Sequence, residues 1–454
     1  MTDENDGPEA RLTEAPARLS PSLQRLQLEV LLGLELADDV ELTSVLQQHA
    51  DSIGVLARAY DAFYAGGLDF ASSRYRDQRF LGMYLAHYTP RYVLSLQQVF
   101  AELESAGLMG AEQQVIDVGV GPGTTLLALA DYCAHSSALV GQPASEGVGR
   151  RLHYWGVDLS GEALRYARRV GATYRAGLER ELRAAPPHLR AGIRDALRVL
   201  ALARWRHSDG LHGPLTVGGG HQLVVYGNVL TELARCERWE EQLAEQLTGL
   251  PSGSLVLFVE PATETQARRL AATRRTLLAR RVAQPILPCS YDLGPEQAER
   301  CHACWGIRDT AVERTALDVA LDPGGRRRTN HPWTYTIMAI GASPPVTPRE
   351  AVALASFMGE VVPAHLLDDL PVVGRLRSGP RKVCCNRFTD VGELLVSGGE
   401  IASFRPGDRV DLTGFRLQQF WRPGLFELVA TADAKVDRSR RPGCSGAAAV
   451  HSEQ

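Results

Sequence analysis

The sequence predicts an α/β fold: a Rossmann-like, nucleotide-binding sheet with an N-terminal helical region before it and a small β-rich part after it. Three observations carry this. At Gln114 a helical texture gives way to Val115-Ile116-Asp117-Val118, a short apolar strand. Gly119-Val120-Gly121-Pro122-Gly123 follows as a glycine-rich turn, and Thr124 to Tyr132 reads as a helix. Further apolar strands recur at Leu152 to Val157, Gln222 to Tyr226 and Leu255 to Val259, each ending in polar residues. Strand, glycine turn and helix make the first unit of a parallel sheet. In that unit the backbone can approach a ligand closely and the helix N-terminus offers free N–H groups.

Taking the elements in order, residues 1–20 are acidic and rich in Pro, Ser and Ala, and are expected to be disordered. Over 21–110 apolar residues recur three or four apart, as in Leu23, Leu26, Leu28 and Leu31, which predicts a helical lead. Pro90 is placed at a helix start, where its missing N–H costs little. The sheet domain is assigned to 111–345, a small β-rich domain to 370–431, and a disordered tail to 432–454. Composition agrees with a globular chain: 44% of the 454 residues are hydrophobic and the net charge is −4, which excludes a fibrous protein or a polycation. No apolar run is long enough to span a bilayer, and the N-terminus lacks a basic region followed by an apolar core. A cytoplasmic location without membrane contact is expected.

The loop reads D-V-G-V-G-P-G from Asp117, the form of S-adenosylmethionine sites, whereas the G-x-G-x-x-G of dinucleotide sites is absent. In that reading Asp117 and the loop face the methionine end and the ribose. Asp158 ends the second strand, where a carboxylate can accept both ribose hydroxyls. The Gly/Ser/Pro-rich stretch Ser136 to Gly149 reads as an inserted loop between the two acids. Asn228 ends the next strand. The candidate cofactor-binding residues are therefore Asp117, Gly119, Gly121, Gly123, Asp158 and Asn228. No Asn-Pro-Pro-Tyr box and no paired cysteine nucleophile is present, so no catalytic residue is assigned.

Cysteines form a second constellation. Cys289, Cys301 and Cys304 stand as P-C-x11-C-H-A-C-W, and Cys384 and Cys385 follow on a later strand. Thiolates gathered in this way can hold zinc or an iron–sulfur cluster, and His302 could replace one of them in a zinc site.

The joint order of motifs resembles the methyltransferase-like family of mitochondrial small-ribosomal-subunit assembly and its bacterial relatives. It comprises Tyr84-Leu-Ala-His-Tyr-Thr-Pro-Arg-Tyr92, I-D-V-G-V-G-P-G-T from Ile116, V-V-Y-G-N-V-L-T-E-L from Val224 and F-V-E-P-A-T from Phe258. An Arg-rich helix, L-P-C, C-H-A-C-W and Pro332-Trp-Thr-Tyr-Thr-Ile-Met338 complete it. The likeness spans about Tyr84 to Val396. It implies a class I methyltransferase fold and a four-iron–four-sulfur cluster on Cys289, Cys301, Cys304 and Cys385, with Cys384 the alternative fourth ligand. It also implies association with small-subunit ribosomal RNA, with the family's own methyl transfer unsettled.

Arg268, Arg269, Arg274, Arg275, Arg280 and Arg281 fall on one helix, and Arg326-Arg327-Arg328 form a second basic run, as a phosphate-tracking surface needs. Short strands from Val372 onward fit a small barrel of the kind that grips RNA. A small-molecule methyltransferase with a structural zinc, or a non-catalytic RNA-binding scaffold, are the alternative functions.

Overall fold

The computed structural model describes residues 18–37, 40–65, 75–105, 108–109, 112–139, 151–209, 215, 217, 220, 222–287, 308–322, 330–341, 370–375, 382–385, 393–397, 409–419 and 426–438. Among the described residues the lead comprises the α-helices α1 (Pro21–Leu32), α2 (Leu42–Gln48), α3 (Ala50–Ala65) and α4 (Gln78–Ser105). Ser20 caps α1 by accepting from the Leu23 N–H, Pro21 starts it, and Gly33 closes it in the left-handed region at φ 68°.

Helix α4 corrects one expectation. Pro90 lies inside it rather than at a start. A proline there cannot donate to the Ala86 carbonyl. Buried Gln27 of α1 does so instead, its Nε2 donating to Leu85 O at 3.0 Å and to Ala86 O at 3.3 Å. A tertiary contact supplies the bond whose absence marked a helix boundary.

The sheet domain runs β1 (Glu112–Val118), α5 (Thr124–Leu139), β2 (Arg151–Asp158), α6 (Gly161–Ala184), α7 (Pro187–Leu202), β3 (Arg204–His207) and β4 (Gln222–Gly227). It continues with α8 (Leu230–Leu233), α9 (Trp239–Thr248), β5 (Leu255–Pro261), α10 (Glu264–Ala279), β6 (Ala283–Leu287), β7 (Arg308–Ala311), α11 (Ala316–Leu321) and β8 (Asn330–Ile340). Helix α5 continues over Ser136–Leu139, the first part of the stretch expected to be loop.

Sheet order is β3-β2-β1-β4-β5-β8-β6, with β7 also pairing with β8. The first five strands are parallel, and β8 runs antiparallel to both β5 and β6. A seven-strand sheet in this order, with one reversed strand inside the far edge, is the class I methyltransferase fold. Both faces are covered, so its strands are apolar on both sides. Ile116, Val224, Val256 and Met338 lie in register on the face packed by α9 and α10, while Val115, Leu223 and Leu255 face α4 to α7. Edge strand β3 is polar, and no apolar run announces it.

Strands β9 (Leu370–Arg375), β10 (Lys382–Cys385), β11 (Glu393–Ser397), β12 (Arg409–Gln419) and β13 (Phe426–Arg438) close a barrel in the order β10-β11-β13-β12-β9. Counted within the barrel this is 1-2-3-5-4 returning to 1, with the third and fifth strands parallel. That is the connectivity of the oligonucleotide- and oligosaccharide-binding (OB) fold. Val396, Val410, Leu412, Phe415 and Leu428 are fully buried in it. The tail expected from 432 is corrected in part: β13 continues to Arg438 because Lys435 to Arg438 pair with Val410 to Thr413. Among the described residues no helix is long and apolar enough to cross a membrane.

Candidate functional site

The glycine loop stands at the carboxyl edge of the sheet, between β1 and α5. Gly119 has φ 78° and donates its N–H to Val157 O at 2.8 Å. A Cβ there would sit 2.3 Å from Val229 Cγ1, so the position admits only glycine. Gly121, also left-handed at φ 53°, turns its N–H toward Asp158 and donates to Oδ2 at 3.0 Å. Gly123 completes the turn into α5, donating to Val120 O at 3.0 Å.

Asp158 lies where a ribose-binding acid belongs. Its Oδ1 accepts from the Ser160 N–H at 2.7 Å, and burial pushes its carboxyl up. Each oxygen keeps a further lone pair. Asp117 lies at the end of β1, beneath the loop, and is buried. Its Oδ1 accepts from Thr125 Oγ at 2.9 Å and its Oδ2 from Tyr154 OH at 2.6 Å. Burial raises it to about 7 despite those two bonds. Asp117 therefore ties α5 and β2 together beneath the loop and holds the loop's shape.

Asn228, at the end of β4, is held left-handed at φ 59° and donates through Nδ2 to Tyr84 OH at 3.3 Å. Its Oδ1 is buried with no partner. Tyr75 lies over the loop, 3.8 Å from where a Gly121 Cβ would stand, and its carbonyl accepts from Ser160 Oγ at 2.9 Å.

Sequence reasoning assigned no role to the other residues of this edge. Glu260, at the end of β5, is fully buried. Its Oε1 accepts from the Leu230 N–H at 2.9 Å, its Oε2 has no partner, and burial pushes it up to about 8. Burial also raises Glu232 to about 7. His331 opens β8 with its Nε2 buried and unpartnered; burial and nearby Arg91 hold it neutral, with a pKa of about 3. Tyr84, Tyr88 and Tyr92 of α4 form a ladder above them, with centroids 5.1 and 6.5 Å apart, and Tyr92 meets the His331 ring edge-on at 4.5 Å. An unpaired buried polar atom costs about 1–3 kcal/mol, and functional sites are where such costs persist.

These residues fit S-adenosylmethionine: a backbone cradle that a Cβ would fill, an acid at the end of β2, and a buried amide oxygen awaiting a donor. The metal reading is a different matter. Cys289, Cys301, Cys304 and His302 lie outside the described residues, while Cys384 and Cys385 end β10, with Cys385 opposite Glu393. Among the described residues no group of three or more metal-capable side chains occurs.

Helix α10 carries Arg268, Arg269, Arg274 and Arg275, whereas Arg280 is only its C-cap and Arg281 lies past its end at φ 56°; Arg274, moreover, is only 5% exposed. It shares the buried stripe of Leu270 and Leu277, at spacings i, i+4 and i+7. Arg268, Arg280 and Arg281 are exposed, and Arg269 and Arg275 are half-buried. The run Arg326-Arg327-Arg328 lies outside the described residues.

No family model matches the sequence, and no curated protein matches it. Solved structures to which it is similar include a Listeria monocytogenes protein provisionally assigned as a class I S-adenosylmethionine-dependent methyltransferase. That likeness has 12% identity and a TM-score of 0.33, and covers 72% of this chain and 91% of that one. Another is the plantazolicin methyltransferase BamL with a triazolic analogue and S-adenosylhomocysteine, at 9% identity and TM-score 0.30, covering 70% and 98%. A third is the N-methyltransferase NodS of Bradyrhizobium japonicum, at 10% identity and TM-score 0.26, covering 55% and 97%. The fold itself is carried by the strand order and register above.

Proposed function

We propose that this chain binds S-adenosylmethionine at the carboxyl edge of its sheet and acts as a methyltransferase-like protein on small-subunit ribosomal RNA in the cytoplasm. The observation that carries cofactor binding is the meeting of the left-handed glycine loop with Asp158, across which Gly121 already hydrogen-bonds the carboxylate. Gly119, Gly121 and Gly123 would take the amino-acid end, Asp158 the ribose hydroxyls, and Asn228 a donor beside them. Bound there, the cofactor supplies a methyl group on a sulfonium. The chain's own residues do the rest: Asp117, Thr125 and Tyr154 fix the loop, and Tyr75 covers it. Calorimetry with S-adenosylhomocysteine tests this. Binding by the wild type supports it, and no binding sinks it.

The RNA reading is supported by the order of sequence motifs, by the OB connectivity of the C-terminal barrel, and by exposed Arg268, Arg280 and Arg281. Ultraviolet crosslinking in cells, with sequencing of the copurified RNA, should enrich one region of small-subunit ribosomal RNA. No enrichment over a mock purification turns the function to a small-molecule methyltransferase. The cluster reading, on Cys289, Cys301, Cys304 and Cys385, rests on the sequence resemblance. It expects iron and sulfide after anaerobic purification, both lost in Cys301→Ser; a colourless zinc protein overturns it.

A further inference from the structure

The edge of the sheet farthest from α10 carries an excess of positive charge. Residues 161–207, spanning α6, α7 and β3, hold eleven arginines against four acids, Glu162, Glu179, Glu181 and Asp195. Strand β3 is the edge strand, and its end is tied to the cofactor side. His207 Nε2 meets Leu159 O at 2.8 Å, and the Ser208 N–H donates to Asp158 O at 3.1 Å.

The four acids are already engaged. Glu162 pairs with Arg165, Glu179 with Arg175 at 2.8 Å, Asp195 with Arg198 at 2.8 Å, and Glu181 with His135 at 3.0 Å. Arg168, Arg169, Arg194 and Arg204 are exposed and have no carboxylate partner among the described residues. Three of these lie over aromatic rings instead: Arg168 over Trp205 at 5.9 Å, Arg169 over Tyr166 at 4.8 Å and Arg204 over Trp155 at 4.9 Å. A carboxylate would cancel the charge of a guanidinium. A ring holds it in place, leaves the charge intact and takes up none of its N–H donors, which suits bidentate contact with a phosphate. On α6, Arg165, Arg168, Arg169 and Arg175 recur at helical spacing, opposite the buried stripe of Ala167, Val170 and Tyr174. Helix α10 differs, because Arg274 is buried and Arg280 meets Glu241 at 3.4 Å.

An anionic membrane would also attract arginines, but it needs an apolar face to sink into it. The large apolar residues exposed here, Leu159 at 57% and Leu202 at 47%, stand at opposite ends of β3 and make no continuous stripe. Separate cations along a strand edge and its neighbouring helix suit the repeating phosphates of a polynucleotide.

We propose that α6 and β3 form an RNA-binding surface in which Arg168, Arg169 and Arg204 hold successive phosphates of a strand that passes the carboxyl edge beside Asp158. This deepens the ribosomal RNA reading and rests on it, and it places the contact at the opposite end of the sheet from α10.

The test follows the fluorescence anisotropy of a labelled single-stranded RNA oligonucleotide of mixed sequence, titrated with the full-length protein over a series of salt concentrations. Arg168→Gln, Arg169→Gln and Arg204→Gln together should weaken binding at least about tenfold. They should also lower the slope of log affinity against log salt by about two, since each single-strand phosphate neutralised contributes about 0.7. The same three positions changed to lysine keep the charge and lose the stacked fork, so the slope should return with only part of the affinity. Arg268→Gln, Arg275→Gln and Arg281→Gln together should change both quantities less. Independently of any variant, peptides crosslinked to the RNA by ultraviolet light should map to residues 161–207. Binding that survives the edge substitutions with its slope intact, or crosslinks confined to other segments, overturns the surface and leaves the ribosomal RNA reading standing. Binding to phosphatidylserine vesicles in place of RNA, lost in the edge variant, overturns it in favour of a lipid. A wild type that binds no RNA overturns the ribosomal RNA reading itself, and the surface with it.

Discussion

Between α1, α4, α5 and α6, the buried carboxylate of Asp131 accepts from Ser20 Oγ at 2.5 Å, Gln97 Nε2 at 2.7 Å, His135 Nδ1 at 3.0 Å and Tyr174 OH at 2.5 Å. The other His135 nitrogen meets Glu181 at 3.0 Å, and Ser22 also donates to Glu181. At the carboxyl edge of the same sheet, Asn228, Glu260 and His331 each keep an unpaired buried atom. The titrations run in opposite directions. In the first cluster burial opposes charge, but the paired hydrogen bonds win: Asp131 and Glu181 are held below their ordinary range, and His135 rises to about 10. At the edge burial wins, and Glu260, Glu232, Asp117 and His331 are all pushed toward their neutral forms. A charged partner decides the outcome: Asp131 and Glu181 share the His135 imidazolium, whereas Asp117 meets only neutral hydroxyls.

The most severe way to break this contrast is Asp131→Ala, which leaves His135 Nδ1 and three other donors unpaired and the imidazolium with Glu181 alone. Denaturant unfolding should show a loss of about 3–5 kcal/mol; a loss near zero would mean the cluster holds nothing together. Next is Asp158→Ala, a ligand-side substitution. S-adenosylhomocysteine affinity should fall by about ten- to a hundredfold, the worth of hydrogen bonds to a charged group, and unchanged affinity would remove the ribose assignment.

Stability against pH sharpens the comparison further. His135 is raised from 6.5 to about 10, so its contribution is complete below 6.5 and lost as pH climbs through 10. Asp131 and Glu181 are lowered, so theirs is present above the ordinary carboxylate range and lost as pH falls through their folded values. Glu260, raised from 4.5 to about 8, makes the native state bind the extra proton and costs stability progressively over that interval. Unfolding followed from pH 5 to 9 should therefore show a decline toward alkaline pH, and a rise would contradict both assignments. The smallest effect expected is a gain: Glu260→Gln, with no charge to bury, should flatten the decline and stabilise the protein by about 1 kcal/mol at pH 8.

Local signals made much of this readable in advance. The glycine loop, Asp158, the four apolar strands and the barrel-like character of the C-terminal part all depend on period, turn residues and short-range geometry. What escaped depends on residues distant in the chain. Pro90 looked like a boundary because Gln27, sixty-odd residues earlier, was invisible as its substitute donor. Arg274 looked exposed because arginines usually are, although its spacing from Leu270 and Leu277 places it on the buried stripe. Asp117 carries the motif, but its bonds to Thr125 and Tyr154, which tie α5 and β2, could not be read from it. Glu260 was legible only as a polar strand end at the carboxyl edge and His331 gave no signal, since an unpaired atom is a property of the assembled edge rather than of either segment.

The reversed strand also sets an order of events in synthesis. Strands β5 and β6 leave the ribosome before β8, yet β8 belongs between them. Until Asn330–Ile340 emerges, Leu255–Pro261 and Ala283–Leu287 present two open edges, each a template for wrong pairing. Cys289, Cys301 and Cys304 emerge during that wait. His331 comes with β8, so a nascent chain acquires its glycine loop early and a finished carboxyl edge only when the sheet is complete.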